Sequence, residues 1–368
     1  MAQLSISQRT RRTPFSDRVE EAGVKGYTVY NHMLLATVYR SLEEDYHHLK
    51  NAVQIWDVAC ERQVELRGPD AGRLAQLMTP RDLSQQKIGQ CLYSPTCDQN
   101  GYLLNDPVTI KLEEDRYWVS IADSDVILFA RGLAAGFGLK VQIEEPDIFP
   151  LAIQGPKADE LMARVFGPKI RETRFFGTQI HRFAGQDHMI ARSGYSGQGG
   201  FEIYVNGEDA ALPLWDALME AGRDLDIHPG CPNLIERIES GLLSYGNDMN
   251  RSHTLHETGL ARFCKTISPD CLAVHALKWT NVTQKLCYLK VDGPQFAPLQ
   301  KPITIFSQGV EAGQINSAIW SPDYETNVAV GMIQTEHLTP GSHLVAGQEN
   351  NPLSVLNGPI AFAQGLAA

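Results

Sequence analysis

The chain has 368 residues and a formal net charge of −11; that length exceeds one compact core, so two or three domains are expected. The acidic balance excludes the basic footprint of a nucleic-acid-binding protein, and the short cluster Arg9, Arg11, Arg12 does not change that. No run approaches the roughly 20 apolar residues of a membrane span, and the polar, basic start lacks an apolar secretory core, so a cytoplasmic location is expected.

Cys60, Cys91, Cys97, Cys231, Cys264, Cys271 and Cys287 are odd in number, scattered and without a CxxC pair. That pattern argues against a disulfide framework or a structural zinc site and predicts reduced thiols. Gly68-Pro69-Asp70-Ala71-Gly72-Arg73-Leu74 recurs as Gly155-Pro156-Lys157-Ala158-Asp159-Glu160-Leu161, each time after an apolar stretch and before a helical pattern. Two related strand-turn-helix units follow, with the proline expected in the first helical turn. Asn105-Asp106-Pro107 sits where a turn meets a strand, and turn formation is the default for it. Residues 107–121 alternate as strand, and a helix begins at Val126. Trp118 and Ser120 share a face opposite Tyr117, Val119 and Ile121, a pattern that suits a partly exposed sheet face at least as well as a pocket.

The glycine cluster Gly194–Gly200 fails as a nucleotide loop because a strand, Phe201–Val205, follows it instead of a helix; a hairpin is expected. Phe201, Ile203 and Val205 share one face, leaving Glu202 and Tyr204 together on the other. Pattern alone slightly favours a solvent face of an edge strand there. Residues 233–245 read as a helix stopped by Gly246-Asn247-Asp248, on which Arg237 and Glu239 most simply serve a structural ion pair. His253 and His256, followed by Glu257, lack a third ligand in register, so no metal is expected. There is no GxSxG elbow, and no cysteine has a nucleophilic setting. From about residue 285, the short strands 286–291, 304–306 and 328–332, separated by Gly, Pro and Asn, predict a C-terminal all-β domain with its boundary near 275–284.

Several segments carry a resemblance: residues 55–59, 101–106, 152–156, 192–197, 200–203 and 236–248. Together they are similar to the aminomethyltransferase (glycine cleavage T-protein) family over nearly the whole chain. Residues 27–35, 121–125 and 230–240 resemble its branch of dimethylsulfoniopropionate demethylases. The resemblance implies an α+β, three-domain ring around folate, with a C-terminal all-β, barrel-like domain. Residues 1–50 with 140–275 would form the folate-binding domain, 51–139 the second and 280–368 the third.

The implied activity is tetrahydrofolate-dependent methyl transfer from dimethylsulfoniopropionate, or a close methylated onium acid, to N5 of the folate. Aminomethyl transfer from a lipoyl carrier protein and a non-catalytic folate-binding assembly factor are the alternatives. The family pattern makes Asp106 the catalytic acid, with Asn105 standing where a first acid is usual. It assigns Glu202, Tyr93, Trp118, Phe176 and Arg192 to the folate, Glu202 gripping the pterin. Tyr30, His32, Ser120, Tyr195 and Tyr204 fall to the methyl donor; Tyr195 departs from the tryptophan usual in that branch. Asn233 replaces an arginine of the aminomethyltransferases, and residues 251–257 depart from the family text. Implied partners are a small-molecule methyl donor and folate, with a homodimer as the candidate assembly and neither membrane nor nucleic acid.

Overall fold

A computed structural model describes residues 6–279, 281–339 and 341–363, and the chain divides into two units. The first takes the chain up to Leu74, Gln85–Leu92 and Pro107–Asn233; the second takes Ala75–Ser84, Tyr93–Asp106 and the chain from Leu234 onward. Residues 1–5 of the basic start and 364–368 of the expected C-terminal domain lie outside the described residues. No described helix is long and apolar enough to cross a membrane.

In the first unit a six-stranded sheet runs in the order Thr178–Phe183, Gln186–Ala191, Gly200–Asn206, Ile148–Gln154, Val53–Asp57, Ile227–Pro229. Neighbours are antiparallel except the last pair. The alternation read from sequence decides what each face does. Ile55, Ile153, Phe201, Ile203 and Val205 form one core with Leu161 of the helix Ala158–Phe166 and Leu214 of the helix Ala211–Ala221. The strand carrying Glu202 is internal, not an edge, and Tyr204 is 2% exposed. The solvent-face expectation for Glu202 and Tyr204 is therefore overturned: the opposite face is covered too, by Trp118 and Phe176 among others.

A five-stranded sheet follows the order Gln142–Glu144, Gln63–Arg67, Arg116–Ser120, Val108–Glu113, Cys91–Tyr93. Trp118 and Tyr117 point to opposite faces and both are buried, so Trp118 does not stand on a partly exposed face. The helix expected from Val126 is Val126–Phe137, ended by Gly138 in the left-handed region.

The repeat is real as geometry. Strands Gln63–Arg67 and Ile148–Gln154 lead into helices Ala71–Met78 and Ala158–Phe166. A Cβ at Gly68 (φ +133°) would lie 2.7 Å from Lys140 O, and one at Gly155 (φ +118°) 2.5 Å from Ala52 O, so both glycines are required. The prolines sit ahead of the helices, not in their first turns. Ala71 N–H donates to Gly68 O and Ala158 N–H to Gly155 O, so each proline takes the second position of a turn where its fixed φ fits.

The last segment of the second unit opens with the helix Leu234–Glu239, shorter than the 233–245 expected from periodicity. Gly241, at φ +70°, closes it: Leu242 N–H reaches Arg237 O and Gly241 N–H reaches Ile238 O, the paired bonds of a Schellman ending. The C-terminal strands form a closed barrel in the order Gln284–Val291, Thr326–Gln334, Val310–Ser321, Ile303–Ser307, Leu344–Ala346, Asn351–Leu356. Ile305, Ala312, Ile315 and Ile333 fill its core. All seven cysteines are buried and free, as reduced thiols require.

Candidate functional site

Glu202 pairs across the sheet with Ala152 and Ala191, so its side chain leaves the sheet on the face opposite Phe201 and Ile203. There its carboxylate accepts a short hydrogen bond from the Ser193 hydroxyl. Burial pushes the Glu202 carboxyl up, and the Ser193 hydrogen bond opposes that shift. Ser193 is itself buried and was not singled out by sequence; its place in the ArgSerGly motif was the available signal. The adjoining loop is packed on Gln154, which donates to Ser193 O at 3.2 Å and accepts from Ser196 Oγ at 2.7 Å. A Cβ at Gly194 would sit 2.1 Å from Gln154 Nε2 and one at Gly200 2.2 Å from Ile153 O. The glycine cluster thus serves close packing under Glu202, in the hairpin that was expected.

Trp118, Tyr204 and Phe176 come together in one cluster with Cys91, Ile110 and Met189. The Trp118 and Tyr204 rings lie 5.7 Å apart at 38°. The Trp118 indole N–H donates to Glu65 Oε2 at 2.7 Å, an acid that also takes Arg116 at 2.7 Å, so the orientation of the ring is fixed. Burial drives the Tyr204 phenol well above its ordinary range, aided by Glu202 and opposed by the Ser120 hydroxyl. Ser120 also accepts from Gln63 Nε2 at 3.0 Å. Phe176 adopts φ +56°, a conformation costing a non-glycine residue on the order of 1–3 kcal/mol. Two backbone bonds hold it: Phe176 N–H to Arg192 O at 3.0 Å and Cys91 N–H to Phe176 O at 2.8 Å. Its ring stacks on Phe175, 4.6 Å away at 11°.

The donor-assigned residues fall in more than one place. Tyr30 packs with Met33, Leu35 and Trp56, a cluster separate from that of Trp118 and Tyr204. His32 is exposed, 3.8 Å from Asp125. Tyr195 is half-buried in the loop after Ala191 and enters neither cluster. Arg192 is not an unengaged cation: its guanidinium pairs with Asp159 at 2.9 Å and lies 5.0 Å from the Phe201 ring centre.

In the second unit, the Tyr93 hydroxyl donates to Asp106 Oδ2 at 2.8 Å, and the Tyr93 ring meets Phe263 edge-on at 4.7 Å. Asp106 Oδ1 is buried with no hydrogen-bond partner among the described residues. Burial raises the Asp106 carboxyl to about 7, against the Tyr93 hydrogen bond. An acceptor enclosed and unpaired is costly unless something donates to it. Arg237 serves structure: it donates to Asp248 Oδ2 at 2.8 Å and Ser317 Oγ at 2.9 Å, all buried. Asn233, in the first unit, holds Leu42 O at 2.9 Å.

His253 accepts from Asn250 N–H and His256 faces Leu277 O, so each has its own partner. Among the described residues, His48, Asp226 and His228 do bring three ligand atoms within 4.8 Å. The His48 tautomer opposes ligation. Gln54 Oε1 must accept from the Trp56 indole, which turns Gln54 Nε2 toward His48 Nδ1 and leaves the proton on Nε2, donated to Asp226 O at 2.8 Å.

Residues 15–268 match the GCVT N-terminal domain, and residues 284–357 match the glycine cleavage T-protein C-terminal barrel domain. The dimethylsulfoniopropionate demethylase DmdA of Ruegeria pomeroyi is 52% identical over 346 residues, 93% of this chain and 94% of that protein. An aminomethyltransferase of Caldanaerobacter subterraneus subsp. tengcongensis is 27% identical over 86% of this chain and 87% of its own. The crystal structure of aminomethyltransferase T of the glycine cleavage system from Bartonella henselae has the same fold, with a TM-score of 0.83, 22% identity, and coverage of 96% of this chain and 99% of that one. The chain belongs to the glycine cleavage T-protein family.

Proposed function

We propose that this protein transfers a methyl group from dimethylsulfoniopropionate to N5 of tetrahydrofolate, giving methylthiopropionate and 5-methyltetrahydrofolate. The observation that carries this reading is the similarity to the Ruegeria pomeroyi demethylase along nearly the full length of both chains. Tetrahydrofolate is the methyl-accepting cosubstrate. A sulfonium supplies its own leaving group: the electrons of the broken C–S bond leave on a neutral thioether, so no acid is needed at sulfur. Alignment is then the main catalytic device, worth roughly 7–11 kcal/mol where it is complete.

The residues present fit a folate. Asp106 offers a buried acceptor oxygen with no partner among the described residues, and in this reading it orients the folate nitrogens and offsets charge developing there, steadied by Tyr93. Glu202 accepts from the pterin N–H and amino group, a planar two-point recognition suited to a carboxylate. Trp118 and Phe176 supply aromatic faces to the folate, and Arg192 acts beside them through its paired guanidinium. Tyr30, His32, Ser120, Tyr195 and Tyr204 are assigned to the donor, where a ring face attracts a cation by about 0.5–2 kcal/mol. The division into 1–50 with 140–275, 51–139 and 280–368, a homodimeric assembly and a cytoplasmic location belong to the same proposal; limited proteolysis and light scattering read the first two.

The test is incubation of purified protein with tetrahydrofolate and dimethylsulfoniopropionate, with glycine betaine and dimethylglycine as parallel donors, and mass spectrometry for 5-methyltetrahydrofolate. Product from the sulfonium is expected. Product only from another donor, or methylenetetrahydrofolate only from an aminomethyl-loaded carrier protein, would replace the reading.

A further inference from the structure

The strands Gly26–Tyr30 and Met33–Val38 form a two-stranded sheet of their own, and Tyr30 pairs with Met33. Asn31 and His32 are therefore a two-residue turn, at φ +48° and +64°. Both left-handed positions mark the type I′ hairpin, which asparagine tolerates better than most residues. A lone two-stranded hairpin holds its shape poorly in water unless something fastens it.

Core packing of Met33, Leu35 and Ala36 and the Arg11 N–H on His32 O at 2.7 Å hold one side of it, and Asn31 fastens the tip to the other. Asn31 is 4% exposed, although it sits at a hairpin tip beside the exposed His32. Its side-chain amide donates to Cys60 O at 3.0 Å and Ala122 O at 3.1 Å, using both hydrogens, and its backbone N–H donates to Asp123 Oδ1 at 2.7 Å. Three bonds thus tie the tip to two other segments, one of which begins directly after Ser120. Tyr30 and His32 flank the tie on one side and Ser120 lies next to it on the other. We infer that Asn31 is a positioning residue for methyl-donor recognition, clasping the Tyr30–His32 turn to residues 121–125 so that groups on both keep one spacing. This inference rests on the donor assignment proposed above.

The test compares wild type with Asn31→Gly, which keeps the left-handed backbone and loses the amide, and Asn31→Asp, which turns a carboxylate toward two carbonyl oxygens. The readouts are KM and kcat for dimethylsulfoniopropionate at saturating tetrahydrofolate, the folate Kd, and Tm. A donor KM raised about tenfold or more is expected in both variants, since sub-ångström misplacement is costly, with kcat within about twofold and folate Kd unchanged. Asp123→Ala, which removes the acceptor of the backbone N–H, should move KM in the same direction and carries the test if the Asn31 variants do not fold. An unchanged donor KM in folded Asn31→Gly, or KM, folate Kd and Tm all shifting together, would overturn the inference while leaving the demethylase reading intact. Wild-type protein that neither binds nor demethylates the sulfonium, by calorimetry and product analysis, would overturn both.

Discussion

Asp106 and Glu202 are carboxyl groups whose burial favours the protonated form. The Asp106 carboxyl, raised to about 7 by burial, binds its proton more tightly folded than unfolded. Its contribution to stability is full below the ordinary carboxylate range and is lost as pH rises through about 7. Asp106→Asn, which cannot titrate, is therefore expected to gain Tm over wild type as pH is raised from 4 to 8, while methyl transfer falls sharply; thermal melts across that range check the sign. If the ionised form of Asp106 is the active one, wild-type turnover should rise with pH through about 7. Glu202→Gln replaces an acceptor with a donor facing donors, and should weaken folate binding by about 1–3 kcal/mol, read by calorimetry. Unchanged affinity would remove Glu202 from the folate. Tyr195→Trp gives a cationic donor a stronger aromatic partner, so a lower KM for dimethylsulfoniopropionate is expected; a neutral result leaves Tyr195 away from the donor.

At the scale of elements, alternation and punctuation were legible because they are local. The strand Gly200–Asn206, the helix from Val126 and three of the six barrel strands follow from period and breakers. What failed was which neighbours an element would have. Glu202 and Tyr204 read as a solvent face because nothing in seven residues says that a second sheet's Trp118 will cover them. Similarly, apolar spacing carries the helix at Leu234 on to Tyr245, whereas Gly241 ends it through a left-handed turn. A Cβ there would meet Pro359 Cγ at 2.1 Å. Gly241→Ala should accordingly cost about 2–4 kcal/mol, from backbone strain and overpacking together, measurable as a lower urea midpoint with unchanged slope.

For the whole molecule, buried polar ties matter as much as cores. Arg237, Asp248 and Ser317 bring helix, loop and barrel strand together within the second unit, with Asp248 fully enclosed. Arg237→Ala would leave that carboxylate buried without its cation, holding only the Ser317 hydroxyl and the Ser244 N–H, and a loss of about 3–5 kcal/mol in chemical denaturation is expected. The sequence by itself determined the family, through motifs it shares with known members, and the all-β C-terminal part, because motifs and periodicity are written in neighbouring positions. Only the tertiary structure decided that Arg192 and Arg237 are already paired, that Ser193 supports Glu202, that one Asp106 oxygen is unpaired among the described residues, and that Asn31 fastens a turn to residues 121–125. Each of these depends on groups distant along the chain meeting at hydrogen-bond range, where burial fixes which partner a polar atom must find, and no local pattern carries that information.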